Sequence, residues 1–156
     1  MSSTYDLKKL GCVDEMNNVQ KFTYNHNKFA TENKTIIICD DEPDVLLSLE
    51  LLLKSKYNVI MVNSGKECIK KCIEELYWGN KIRLILLDYK LDGMMGDSVA
   101  RKIKEYIETK IILISAYNID DELVKELENG GYISKYILKP IETDRLTNLI
   151  DEIVKN

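Results

Sequence analysis

From Thr35 onward the chain alternates short aliphatic runs with longer stretches in which apolar residues recur every three or four positions. The runs are Thr35-Ile36-Ile37-Ile38-Cys39, Asn58 to Val62, Leu84-Ile85-Leu86-Leu87-Asp88, Lys110-Ile111-Ile112-Leu113-Ile114 and Tyr132 to Leu138. Near-continuous apolar runs of this length read as strands buried on both faces. The stretches between them read as helices. The first follows Pro43 and carries Val45, Leu46, Leu49, Leu52 and Leu53 on one side; the second spans Ser64 to Trp78 and buries Cys68, Ile69, Cys72, Ile73 and Leu76. The third runs from Gly96 to Glu108, the fourth from Ile119 to Asn129, and the last from Glu142 to Val154 with Leu146, Leu149, Ile150 and Ile153 inward. Proline after the acidic triplet Asp40-Asp41-Glu42 marks a helix entry, and Gly130-Gly131 a helix exit.

Five strands alternating with five helices predict an α/β fold, a parallel sheet covered on both faces. The natural arrangement for this length is the flavodoxin-like doubly wound five-stranded parallel sheet, order 2-1-3-4-5, with five flanking helices. Strands one and three are then neighbours at the point where the winding reverses. That order brings Asp40, Asp41 and Asp88 to one rim of the sheet, with Ser115 and Lys139 arriving from the ends of strands four and five.

Residues 1–34 break the pattern. Asparagine recurs at 17, 18, 25, 27 and 33, the apolar residues Leu7, Leu10, Val13 and Met16 are scattered, and no period is sustained. They read as an N-terminal extension with one short helix over Tyr5 to Met16, and residues 35–156 as the folded domain. A length of 156 residues suits one domain with a real core. No run of eighteen apolar residues and no signal-peptide layout is present, which predicts a cytoplasmic protein without membrane insertion. The net charge of −4, without a long basic run, argues against direct nucleic-acid binding. Cys12, Cys39, Cys68 and Cys72 match no metal or disulfide spacing, so buried reduced thiols are expected.

Three carboxylates gathered at one rim repel one another, so a proton or a cation must sit among them. Hard oxygen ligands with room for water suit Mg²⁺. A metal so held, with Lys139 opposite, neutralises the oxygens of a transferring phosphoryl group. Asp88 is then the candidate nucleophile and phosphate acceptor, and Ser115 a hydroxyl able to sense the phosphate. Taken singly, each residue has a plainer role: Asp41 a helix cap, Asp88 a turn residue, Ser115 a loop residue, Lys139 a solvated charge. Their joint placement at the ends of four strands favours the functional reading.

The motifs Ile38-Cys39-Asp40-Asp41-Glu42-Pro43, Leu87-Asp88-Tyr89-Lys90-Leu91-Asp92-Gly93-Met94-Met95-Gly96, Ser115-Ala116 and Leu138-Lys139-Pro140 together resemble a response-regulator receiver domain, the phosphoacceptor module of two-component signalling. The likeness covers about Lys34 to Asn156. It implies that Asp40 and Asp41 bind Mg²⁺, that Asp88 accepts phosphate from a histidine kinase, and that the Lys90 carbonyl completes the metal shell. It also implies that Ser115 and Lys139 contact the phosphoryl group and that Tyr136 is a switch aromatic, turning inward to remodel the surface of the fourth helix, fifth strand and fifth helix. Lys90, Ala116 and Tyr117 would flank the phosphoryl group, the bulky Lys90 and Tyr117 shielding it from water. Three departures stand out: Gly130-Gly131 lies one residue farther from Tyr136 than is usual, Ile141 replaces a frequent aromatic, and the extension has no counterpart. His26, between Asn25 and Asn27, does not resemble a phosphodonor.

The resulting expectation is a stand-alone receiver rather than an enzyme, phosphorylated by a sensor histidine kinase or a histidine phosphotransfer protein and acting on a downstream protein, with a phosphorylation-dependent homodimer left open. A phosphate shuttle or sink is the alternative. A Mg²⁺-dependent phosphatase of the haloacid dehalogenase type ranks far lower, since it requires Asp-x-Asp after the first strand where this chain has Asp40-Asp41-Glu42. A scaffold that no longer takes phosphate is disfavoured by the intact set of site residues.

Overall fold

The computed structural model describes residues 34–155. The expected helix over Tyr5 to Met16 and all of the extension but Lys34 lie outside the described residues. The strands are β1 Thr35–Cys39, β2 Asn58–Val62, β3 Ile82–Asp88, β4 Lys90–Leu91, β5 Met94–Met95, β6 Lys110–Ser115 and β7 Lys135–Leu138. The helices are α1 Pro43–Leu53, α2 Gly65–Tyr77, α3 Gly96–Lys104, α4 Asp121–Asn129 and α5 Thr143–Lys155. Five strands form one parallel sheet in the order β2-β1-β3-β6-β7, the expected winding once the hairpin of β4 and β5 is set aside.

Side chains along a strand point alternately to its two faces, and each face here has its own core. Ile37, Cys39, Ile85, Leu87, Ile111 and Leu113 meet Cys68 and Cys72 of α2, Val99, Ala100 and Ile103 of α3 and Leu127 of α4. On the other side Ile36, Ile38, Leu84, Leu86, Ile112 and Ile114 meet Leu53 of α1 and Leu146, Ile150 and Val154 of α5. Both faces are covered, which is why the central strands β1, β3 and β6 read as unbroken apolar runs. Burial of each such side chain contributes about 1.5–3 kcal/mol.

Three local expectations need correction. α3 stops at Lys104 rather than Glu108. The amides of Tyr106 and Ile107 both donate to the Ile103 carbonyl, while Thr109 donates its hydroxyl to the Ile82 carbonyl at 3.0 Å and accepts Lys104 Nζ on its own carbonyl at 2.6 Å, drawing the chain across to the sheet. β7 begins at Lys135 rather than Tyr132, because the amides of Tyr132 and Ile133 close the end of α4 on the Leu127 carbonyl. The buried line of α2 runs through Cys68, Cys72 and Glu75, leaving Leu76 exposed. Glu75 turns inward because its carboxylate accepts Asn80 Nδ2 at 2.9 Å across the turn into β3.

The turn after α1 is tied to α5 by one carboxylate. Tyr57 donates its hydroxyl to Asp151 Oδ1 at 2.5 Å and Lys56 its Nζ to Oδ2 at 2.9 Å. Burial and the Asp151 bond push the Tyr57 phenol up to about 12, and the bonds from Tyr57 and Lys56 pull the Asp151 carboxyl down. Stability from the raised phenol is complete below its ordinary pKa and is lost as pH rises through about 12. Stability from the lowered carboxyl is present above the ordinary carboxylate range and is lost as pH falls through its folded value. Tyr57→Phe should therefore cost about 1 kcal/mol in urea unfolding at pH 7, and less once the solution is acid enough to protonate Asp151.

Candidate functional site

β1 and β3 are direct neighbours, so the residues that end them share one edge of the sheet. Asp40 follows β1 and Asp88 closes β3; both are buried, while Asp41 stands exposed on the rim. The three present carboxylate oxygens within 4.8 Å of one another. Lys139 follows β7, where its backbone N–H donates to the Ser115 carbonyl at 2.7 Å and carries the strand pairing one step beyond Leu138. Its Nζ donates to Asp40 Oδ2 at 3.1 Å and to Asp88 Oδ1 at 3.2 Å.

The remaining oxygen of each buried acid accepts a hydrogen bond from a backbone N–H. Asp40 Oδ1 accepts the Glu42 N–H at 2.9 Å, and Asp88 Oδ2 accepts the Lys90 N–H at 3.1 Å. Burial pushes the Asp88 carboxyl up, as does the charge of Asp40, while Lys139 opposes the rise. Burial disfavours the Lys139 ammonium, but its bonds and charges with Asp40 and Asp88 outweigh this and raise it. A carboxylate trio of this kind suits a hard oxygen-seeking cation, so the donor set fits Mg²⁺.

The backbone after Asp88 is braced on both sides. The Tyr89 N–H donates to the Ile114 carbonyl at 2.7 Å, and the Gly96 N–H donates to the Tyr89 carbonyl at 2.6 Å. Gly96 has no room for a side chain, since a Cβ there would lie 2.6 Å from the Asp88 carbonyl oxygen. Between them Lys90 pairs with Met95 and Leu91 with Met94, around Gly93 at φ +74°. This hairpin and the bracing role of Gly96 are absent from the sequence-based expectation. Asp92-Gly93 between two short flanking pairs is the turn signal that marks the hairpin.

A cleft of about 560 Å³ opens over the carboxylates, and Asp41, Glu42, Lys90, Ala116, Tyr117 and Lys139 are among its lining residues. Lys90 Nζ lies 5.1 Å from the centre of the Tyr117 ring, a cation–π contact at the cleft. Ser115 is buried, and its hydroxyl engages the Tyr117 backbone: it donates to the Tyr117 carbonyl at 2.7 Å and accepts the Tyr117 N–H at 3.0 Å. Tyr136, half-buried against the core, donates its hydroxyl to the same carbonyl at 3.0 Å. Asp40, Asp41, Asp88 and Lys139 thus form one charged cluster, Lys90, Ala116 and Tyr117 line its cleft, and Ser115 and Tyr136 converge one step away on Tyr117. The thiols of Cys39, Cys68 and Cys72 are buried and unbridged, as expected.

Residues 36–151 match the family model of the response regulator receiver domain. The chain is similar to the two-component response regulator ORR3 of Oryza sativa, with 26% identity over 79% of this chain and 92% of that protein. It is also similar to the response regulator ArlR of Staphylococcus aureus, with 31% identity over 77% of this chain, and spans about half (52%) of that protein. Among solved structures it superposes on a CheY-like receiver domain protein from Methanospirillum hungatei (TM-score 0.68, 26% identity, 78% of this chain and 94% of that one). It also superposes on the response regulator TrrA from Thermotoga maritima in complex with Mg²⁺ and beryllofluoride (TM-score 0.61, 27% identity, 77% and 98%).

The raised carboxyl of Asp88 has a thermodynamic consequence. Its contribution to stability is complete below the ordinary carboxylate pKa and is lost as pH rises through the raised folded value, so the ionised group strains the fold at neutral pH. Asp88→Asn should raise the melting temperature by about 3–6 °C at pH 7 in the absence of divalent metal, equivalent to roughly 1 kcal/mol. The difference should shrink as the solution is acidified through the carboxylate range and wild-type Asp88 takes up a proton; a differential scanning calorimetry series across that range measures it.

Proposed function

The chain belongs to the family of response regulator receiver domains, and from that premise we propose that Asp88 accepts a phosphoryl group from a histidine kinase in a Mg²⁺-dependent reaction that alters the α4, β7 and α5 surface for a downstream partner. The observation that carries this reading is the Lys139 ammonium bridging Asp40 and Asp88, with Asp41 within reach of both carboxylates. Asp40, Asp41, Asp88 and the Lys90 carbonyl would hold the metal. Bound there, Mg²⁺ supplies positive charge to the phosphoryl oxygens.

An oxygen of Asp88 attacks phosphorus, the bond from phosphorus to the donor histidine nitrogen breaks, and that nitrogen keeps the electron pair. The product is an aspartyl phosphate. Lys139, already between the two acids, pairs with a phosphoryl oxygen, while the Lys90 N–H and the Gly96 brace keep the acceptor in place. For Ser115 to donate to the phosphate it must leave the Tyr117 carbonyl, and Tyr136 then remains as the hydroxyl donor to that carbonyl. One acceptor shared by two hydroxyls links the chemistry to the segment that leads into α4. That the similar protein TrrA was solved in complex with Mg²⁺ and beryllofluoride supports a Mg²⁺-dependent phosphoryl role for this chain.

We assign residues 1–34 to an extension and 35–156 to the receiver domain, and infer a cytoplasmic protein; among the described residues no helix is long and apolar enough to cross a membrane. The phosphodonor is a sensor histidine kinase or a histidine phosphotransfer protein, and phosphorylation controls a protein partner or a homodimer. A shuttle or sink in a phosphorelay is the second reading. It is distinguished by onward transfer from Asp88 to a histidine phosphotransfer protein.

Incubation with acetyl phosphate and Mg²⁺, followed by intact mass spectrometry, should give a single phosphate adduct that is absent without metal and absent in Asp88→Asn. An adduct that persists in Asp88→Asn overturns the assignment. Lys90→Ala and Tyr117→Ala, which open the cleft to water, should each shorten the lifetime of the adduct several-fold; unchanged decay would show that the pair is no shield.

A further inference from the structure

Arg101 stands on α3, outside the charged cluster. Its Nη2 donates to Glu126 Oε1 of α4 at 2.8 Å, and its guanidinium carbon lies 4.6 Å from the centre of the Tyr132 ring. The guanidinium is thus held by a carboxylate on α4 and by an aromatic face in the turn that follows it.

That turn is shaped to put Tyr132 there. α4 ends as Gly131 takes a left-handed φ of +73°, with the Tyr132 N–H on the Leu127 carbonyl at 2.9 Å and the Gly131 N–H on the Glu128 carbonyl at 3.1 Å. These paired bonds close a helix and reverse the chain. Gly130 supplies the space, since a Cβ there would lie 2.7 and 2.8 Å from two carbons of the Tyr132 ring. The late start of β7 leaves Tyr132 free of the sheet and available to Arg101.

Within its own span little else anchors α4, although Ile119 before it and Ile133 after it are buried. It buries Leu127 alone, with Leu123 and Val124 half-buried, whereas α3 buries Gly96, Val99, Ala100 and Ile103. Residues 116–120 join α4 directly to Ser115, and in this arrangement the Ser115 hydroxyl is engaged by the Tyr117 backbone. A helix lightly held by its own packing takes its position from whatever else grips it.

We propose that Arg101 clamps α4 in the position that accompanies a Ser115 hydroxyl on the Tyr117 backbone, and so sets how readily Asp88 takes up a phosphoryl group. The proposal rests on the phosphoacceptor reading of Asp88 and adds the regulation of that site. A contact made in the unphosphorylated arrangement and lost in the phosphorylated one opposes phosphorylation by its own free energy. Releasing the clamp therefore favours uptake, although Arg101 touches no reacting group.

The test uses the full chain as wild type, Arg101→Gln, Glu126→Gln, the double variant and Gly130→Ala, the last displacing the Tyr132 ring. Adduct formation with acetyl phosphate and Mg²⁺ is followed by intact mass spectrometry, and amide hydrogen exchange in α4 is measured without donor. Arg101→Gln should speed adduct formation about five-fold and accelerate exchange in α4, the scale set by one exposed ion pair and one cation–π contact. Gly130→Ala should do the same, and the double variant should gain no more than Arg101→Gln alone. A merely structural role predicts the reverse, a less stable protein that is phosphorylated no faster. Wild-type adduct rates in Arg101→Gln overturn the clamp. If wild type takes no phosphoryl group under these conditions, the acceptor reading fails, and the exchange data judge the grip on α4 independently: unaltered exchange in Arg101→Gln overturns it.

Discussion

Two buried carboxylates share one ammonium, and the arrangement of the domain follows from keeping them close. Asp40 and Asp88 end adjacent strands and would repel each other without compensation. Lys139 reaches both from the far side of the sheet, and one backbone N–H completes each acid. Taking a partner away from a buried charge costs more than the pair contributes when intact. The site therefore depends on the strand order. Only with β1 beside β3, and with β6 and β7 continuing from it, do two acids and a lysine spread along the chain from Asp40 to Lys139 meet at one rim.

On the proposed phosphoacceptor reading, the same edge would also relay a change outward. The cluster touches the rest of the molecule through backbone more than through side chains: the Asp88 turn is braced by Gly96, and Lys139 is positioned by the Ser115 carbonyl. The hydroxyls of Ser115 and Tyr136 then meet on one carbonyl, that of Tyr117, at the head of the segment leading into α4. Local events at the carboxylates need not propagate through the core, which is filled on both faces and deforms little. In the proposed mechanism they act through that single loop.

The sheet was legible from the sequence because its three central strands are buried on both faces and bounded by turn residues, and its order is the natural one for five strands alternating with helices over this length. The acids, the lysine and the serine were legible because each falls at the end of such a run. What escaped was decided by particular side chains competing with regular structure. Thr109 and Lys104 end α3 early by bonding across to β3 and to each other. Glu75 displaces Leu76 from the buried side of α2 because Asn80 offers it a partner. The place of Ser115, on the Tyr117 backbone rather than among the charged groups, depends on a rotamer choice that no spacing encodes.

In the proposed function, the energy scale of the response is set by how firmly each helix is held. A charged hydrogen bond made by a phosphoryl oxygen supplies about 1.5–3 kcal/mol, which has to be enough to move a secondary-structure element from one packing to another. α5, which buries Leu146, Ile150 and Val154, is too firmly seated to yield to one such bond, since each of these side chains is worth about as much as the bond itself. α4, with Leu127 as its one buried residue, is within reach. A helix so lightly seated would drift without a further restraint, and a restraint made of surface charge and an aromatic face is strong enough to define a resting position yet weak enough to be outbid by a phosphate. The shallow packing of α4 and the grip of Arg101 are in this sense one design: the first makes the helix movable, and the second decides where it waits.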